Sequence, residues 1–186
     1  LLTGYAILDG FDLGAGALHL FAKTDKDRRI ILNAIRPVWD GNEVWLLVGG
    51  GALFAAFPDV YATAFSGFYT AFMLVLAGII FRAVAIEFRS KENSAKWRKF
   101  WDYAFAIASI LLPILMGVAL GNLILGVPID ANKEYAGSFW TLLSHPLPIL
   151  LGVTTLTMFM LHGGIYLVLK TEGELQEQMK GLVKKV

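Results

Sequence analysis

Long stretches of this chain carry no charge, and that limits what it can fold into. Residues 44–81 contain one formal charge, Asp59; residues 103–129 contain none; residues 135–169 contain no Asp, Glu, Lys or Arg. A helix needs about 20 apolar residues to cross a hydrocarbon core of ~30 Å. Of the 186 residues, 56% are hydrophobic and 17% charged, against about 25% charged in a soluble domain, so too few polar side chains remain for a water-facing surface. The net charge of +1 gives no reason to expect nucleic acid, and with no cysteine the chain has no disulfide, thiolate metal site or thiol nucleophile. The expected fold is all-α, a polytopic transmembrane helix bundle.

The first uncharged stretch is too long for one helix, and Phe57-Pro58-Asp59 is its natural break, because proline removes a backbone donor and disfavours helix in the residue before it. About five spans follow, near 1–21, 40–57, 60–86, 99–126 and 145–169. The first starts at Leu1 and has only eight residues before Asp9, so it reads as the inner end of a longer helix and the chain as a fragment. A cleaved signal peptide fits poorly, since two aspartates would sit in its apolar core.

The connections test this count. Segment 22–36 holds Lys23, Lys26, Arg28, Arg29 and Arg36; segment 87–99 holds Arg89, Lys91, Lys96, Arg98 and Lys99; the tail holds Lys170, Lys180, Lys184 and Lys185. The remaining two connections, near 57–59 and 127–144, hold only Lys133. With five spans the three basic segments fall on one side, which the positive-inside rule makes cytoplasmic. Residues 26–36 form an amphipathic stretch suited to the membrane interface. The tail 171–186 reads as a cytoplasmic polar helix or linker toward a missing second half.

Polar residues within the spans are the functional candidates. Asp9 and Asp12, three apart, project from one side of the first helix, and Asp12 lies about 13 Å from its basic end at 1.5 Å per residue. A carboxylate at that depth costs ~2.5–3.5 kcal/mol on the insertion scale, so it must face protein or water, or be protonated. Asp40 and Glu43 repeat the spacing at the start of the second span. They are either ordinary acids at a helix N-terminus or a pair able to pass protons. Arg82 either snorkels to the interface or binds a quinone carbonyl, a lipid phosphate or an internal carboxylate. Of the three histidines, only His19 and His162 fall at similar depth, a weak basis for axial haem ligation. Gly10, Gly14, Gly16 and Gly49-Gly50-Gly51 lack the strand and GK[ST] of a phosphate loop. Together with the Gly117/Gly121 pair they suit close helix packing in lipid. Ser66 has no histidine at a usable spacing for nucleophilic catalysis.

The run Leu8-Asp9-Gly10-Phe11-Asp12-Leu13-Gly14 resembles subunit II of the cytochrome bd-type quinol oxidases, including the cyanide-insensitive branch. So do residues 37–46, containing Trp39-Asp40-Gly41-Asn42-Glu43, and residues 50–58. Phe81-Arg82 with Glu87-Phe88-Arg89, residues 117–127, and His162-Gly163 with Tyr166 and Lys170-Thr171 extend the likeness over nearly the whole chain. The resemblance implies a prokaryotic plasma-membrane terminal oxidase that oxidises quinol and reduces oxygen to water with cytoplasmic protons. It implies that haems b558, b595 and d belong to a partner, subunit I, with this chain binding no haem itself. Small transmembrane subunits, lipids and a bound quinone are further expected company. By the same resemblance, Asp12 and Asp40 match carboxylates of a proton route that Glu43 accompanies, and Trp39 and Arg82 match positions lining a structural quinone. The family chain is about twice as long, so its distal half would be absent.

Two other readings stay open at this stage. One is half of a secondary transporter with Asp9 and Asp12 binding a coupling ion. The other is a passive scaffold in which no carboxylate affects turnover.

Overall fold

The structure, a computed structural model, describes residues 1–131 and 134–186; Lys133 lies outside the described residues. Two short helices, α1 (Leu2–Leu8) and α2 (Gly10–Leu18), follow one line, because Asp9 N–H bonds the Tyr5 carbonyl and Leu13 N–H bonds the Asp9 carbonyl across the junction. A 3-10 turn (His19–Phe21) closes this first rod. The amphipathic stretch is α3 (Asp25–Ile35), started by a capping box in which Thr24 and Asp27 satisfy each other's backbone N–H.

Next come α4 (Trp39–Ala56), α5 (Pro58–Gly67) and α6 (Tyr69–Phe88). Pro58 occupies the first position of α5, where its missing N–H costs nothing. The third expected span is thus interrupted at Phe68, although backbone bonds from Phe68 to Ala64 and from Phe72 to Phe68 carry the chain through. The fourth span is the 31-residue α7 (Ala95–Leu125), capped by Ser94 and ended at Gly126, whose φ of 90° a side chain would resist. After a loop with a 3-10 turn (Phe139–Leu143), α8 (Pro146–Lys170) is the fifth, and α9 (Gly173–Val183) folds back at its end. Among the described residues, α6, α7 and α8 are individually long and apolar enough to cross a membrane.

Helix α8 crosses both α2 and α7 at glycines. Gly14 and Gly163 bring the α2 and α8 backbones together so closely that a Cβ on either would strike the other helix, and Gly117 does the same against Leu151 and Gly152. In lipid, where no hydrophobic drive separates helix from solvent, such close approach is a main source of association. The core has two parts. Leu13, Leu112 and Phe159 pack at mid-height. A larger cluster joins Leu18, Ile31, Ile35, Trp101, Phe105 and Leu167 with Leu175 and Met179 of α9. Segments 22–36 and 87–99 meet at this end through the Arg36–Glu87 and Arg89–Asp25 pairs, and Leu175 and Met179 bring the tail there.

Candidate functional site

Near the basic end, α1/α2, α4 and α6 bring four of the singled-out side chains together. Asp9, Asp12 and Arg82 are wholly buried, and Glu43 is 14% exposed. Arg82 Nη1 donates to Glu43 Oε1 at 2.8 Å and lies 3.5 Å from Asp9 Oδ2, with its guanidinium 5.9 Å from the Phe105 ring centre. The Asn42 side-chain amide donates to Asp12 Oδ2 at 2.7 Å and to the Leu8 carbonyl at 3.0 Å. Three carboxyl groups therefore share one buried cation and one amide. Uncompensated charge is what a membrane interior tolerates least, so a cluster with acids in excess of cations can hold protons.

Asp40 stands apart from these contacts. It is exposed in the first turn of α4, two residues before Asn42 and three before Glu43. Trp39 is half-buried and packs on the cluster containing Ile35 and Trp101. Arg82 faces two carboxylates and has no exposed surface. Of its sequence readings, the internal carboxylate partner is the one this geometry fits. It presents no open face to a quinone head group.

The histidines lie in three separate settings. His145 caps α8 by accepting from Leu147 N–H. His162 is half-buried, edge-on to Phe11 at 5.7 Å, and Phe11 stacks on Tyr166 at 4.3 Å. His19 is wholly buried, its Nε2 2.6 Å from Asp102 Oδ1.

Asp102 belongs to a second ionic cluster that sequence reasoning missed. Arg89 Nε and Arg28 Nη1 both donate to it, Arg28 at 3.2 Å, and Asp25 pairs with Arg89 at 2.7 Å and with Arg98 at 3.4 Å. Burial works against the Arg89 charge, but the bonds to Asp102 and Asp25 outweigh it and hold its pKa above the usual arginine value. The missed signal was depth: Asp102 lies a full two turns inside α7, yet it reads in sequence as the last charge of a basic loop. Among the described residues, no group of three His, Asp or Glu side chains is placed to hold a metal ion.

A helical bundle with apolar spans and acids buried against a lone arginine defines a polytopic membrane protein with an internal polar site. The sequence matches the family described as Cytochrome bd terminal oxidase subunit II over residues 1–186, and the chain belongs to that family. It is 48% identical over 180 residues to Cytochrome bd-I ubiquinol oxidase subunit 2 of Escherichia coli (strain K12), covering 94% of this chain and 47% of that protein. It is 44% identical over 185 residues to Probable cytochrome oxidase subunit 2 of Haemophilus influenzae, covering 97% and 49%. It is 40% identical over 190 residues to Cytochrome bd ubiquinol oxidase subunit 2 of Bacillus subtilis, covering 100% and 55%. The chain thus spans about half the length of these curated relatives. The transporter reading has no support from them.

Proposed function

We propose that this chain is part of subunit II of a membrane-bound quinol oxidase, in which it supports the haem-bearing subunit I and helps deliver protons for oxygen reduction. In that reading the basic end faces the cytoplasm, as the positive-inside rule requires, and the membrane is the prokaryotic plasma membrane. Haems b558, b595 and d reside in the partner subunit and supply the electron transfer and oxygen chemistry. Small transmembrane subunits and lipids complete the assembly.

The observation that carries the reading is the Asn42–Asp12 bond. It links a wholly buried carboxylate to the first turn of α4, where Asp40 is exposed at the basic end. A proton taken up at Asp40 passes by water to the Asn42–Glu43 level and is held by the Asp12 and Asp9 carboxyls until the partner subunit consumes it. Glu43, anchored by Arg82, sets the electrostatic level of this route. Trp39, half-buried beside Asp40, borders its mouth.

In the assembled oxidase, Asp12→Asn and Asp40→Asn are expected to slow oxygen consumption about tenfold or more, the scale of a lost proton-transfer group, with the haem absorbance unchanged. Full turnover in both variants would overturn the proposal in favour of a passive scaffold.

A further inference from the structure

The seam between α2 and α7 holds a second line of buried polar groups that meets the Asp40 route at Asp12 alone. Asp12 and Gly16 on α2 and His19 at its C-terminal cap follow one another at spacings of four and three, so they share a face. Helix α7 passes in the opposite sense, Asp102 meeting His19 and the Ser109 hydroxyl lying against Gly16. Because Gly16 has no side chain, Ser109 reaches into the seam midway between Asp12 and His19.

Several atoms along this line are buried without a hydrogen-bond partner: Asp12 Oδ1, Ser109 Oγ, His19 Nδ1 and, at the lower end, Trp101 Nε1. Pro113, within α7, lacks the N–H that would bond the Ser109 carbonyl four residues earlier. Orphaned buried polar groups are costly, and internal water is their usual partner. The spacing suits it. At 1.5 Å per residue, Ser109 stands about 6 Å along the axis from Asp12 and about 4.5 Å from His19. One water with two bonds of about 2.8 Å bridges the His19 gap, and two waters bridge the longer gap to Asp12.

At the other end, Asp102 lines a cavity of about 290 Å³ at the basic end, together with Asp25, Arg28, Arg98 and Lys99. From these observations we infer that Asp102 and His19 form a second proton inlet from the basic end, joining the Asp40 route at Asp12 by way of water at Ser109. This rests on the reading that Asp12 receives protons for the partner's oxygen chemistry. Asp102 is a carboxylate that accepts from Arg28 Nη1 and from Arg89 Nε and Nη2, so it holds a proton from the cavity water only in passing. Asp102 passes it to His19 Nε2 while His19 Nδ1 releases one to the water beside Ser109, and that water passes one through a second water to Asp12. One proton arrives and one leaves at each hop, and rotation of the imidazole resets the relay. The charged groups facing the pair are Arg28, Arg89 and, through Arg89 and Arg98, Asp25. With Asp102 itself the acids are two against three arginines, and Lys99 in the cavity adds a further positive charge, while Phe105, edge-on to His19 at 5.3 Å, walls the inlet.

The test uses the assembled oxidase with the full-length chain, keeping only variants with intact haem absorbance. His19→Gln alone is expected to lower oxygen consumption by no more than about a tenth, the share that Asp40→Asn leaves, and Asp40→Asn/His19→Gln to fall at least tenfold below Asp40→Asn alone, to the level of Asp12→Asn. Should His19→Gln fail to assemble, Ser109→Ala in the Asp40→Asn background removes only a hydroxyl and carries the same expectation. Radiolytic hydroxyl-radical labelling reads the water directly, with oxidation of the buried Phe105 and Trp101 rings expected. If the double variants turn over as fast as Asp40→Asn alone and both rings stay unlabelled, the second inlet is overturned while a slow Asp12→Asn leaves the proton-supply reading standing. Full turnover of Asp12→Asn overturns that reading itself.

Discussion

Arg82 and Glu43, 39 positions apart in sequence, are joined by a 2.8 Å ion pair with the arginine wholly buried. The pair ties α6 to α4, and the same guanidinium nitrogen reaches Asp9 of the first rod at 3.5 Å. One cation thus holds three helices at the level where the acids collect.

Removing that cation leaves two carboxylates buried without a partner. Arg82→Met is expected to destabilise the protein by about 3–5 kcal/mol, the cost of breaking rather than replacing a buried pair. Adding Asp9→Asn and Glu43→Gln to Arg82→Met removes the stranded charge, so the triple variant is expected to recover much of the loss. Denaturation of the purified complex in detergent, followed by helix content, measures both. A triple variant no more stable than Arg82→Met would mean that the ion cluster is not what ties these helices.

Asn42 acts on Asp12 by position. Its amide supplies the hydrogen bond found on the Asp12 carboxyl, and bonds to charged groups contribute about 1.5–3 kcal/mol. Asn42→Leu is expected to cut oxygen consumption at least fivefold without loss of haem, and Asn42→Gln to retain more activity than Asn42→Leu. Equal activity in wild type and Asn42→Leu would separate Asp12 from the α4 turn.

The α2–α8 crossing depends on hydrogen in place of a side chain. A Cβ on Gly14 would run into the Phe159 carbonyl, and one on Gly163 into the Gly14–Ala15 backbone. Backbone cannot step aside as a flexible side chain can, so Gly14→Ala and Gly163→Ala are each expected to cost about 1–3 kcal/mol or more by overpacking. Gly181 in α9 has nothing within 4 Å of its added Cβ. Gly181→Ala is therefore expected to be neutral or stabilising by up to ~1 kcal/mol. Unfolding midpoints of the three variants, measured side by side, check the contrast.

What was legible in the sequence followed from period and charge. Runs without charge located the rods, and Asp9 and Asp12 at one helical spacing announced an internal acid site that Arg82 and Glu43 complete. The break at Phe68 had no such signal, because neither proline nor charge marks it and the backbone bonds run through it. The His19–Asp102 pair is 83 positions apart, and such a contact is set by how α2 and α7 cross, which no local pattern encodes. His19 looked like a weak haem ligand because its partner was out of sight. The sequence around Arg82 does not choose between lipid, quinone and carboxylate for the same reason, since its setting comes from two other helices.

The tail carried a signal of its own. Leu175, Met179 and Leu182 recur at helical spacing among charged residues, and in α9 that stripe turns inward: Met179 is wholly buried and Leu175 is 4% exposed, against Leu18, Ile31 and their neighbours. The amide of Gln176 donates to the Val168 carbonyl at 2.9 Å, and that of Gln178 to the Phe21 carbonyl, so the helix also satisfies acceptors at the ends of α8 and of the first rod. At 11 residues α9 is shorter than the ~12–15 that an isolated helix needs in water, so it persists only while docked. Met179→Asp would bury a carboxylate in an apolar pocket at a cost of several kcal/mol, enough to release it. Brief trypsin digestion of the variant is expected to cleave at Lys180, inside the released helix, while Lys180 in the wild type stays protected and α8 remains intact in both. Equal cleavage of the two proteins would mean that Met179 does not anchor the helix.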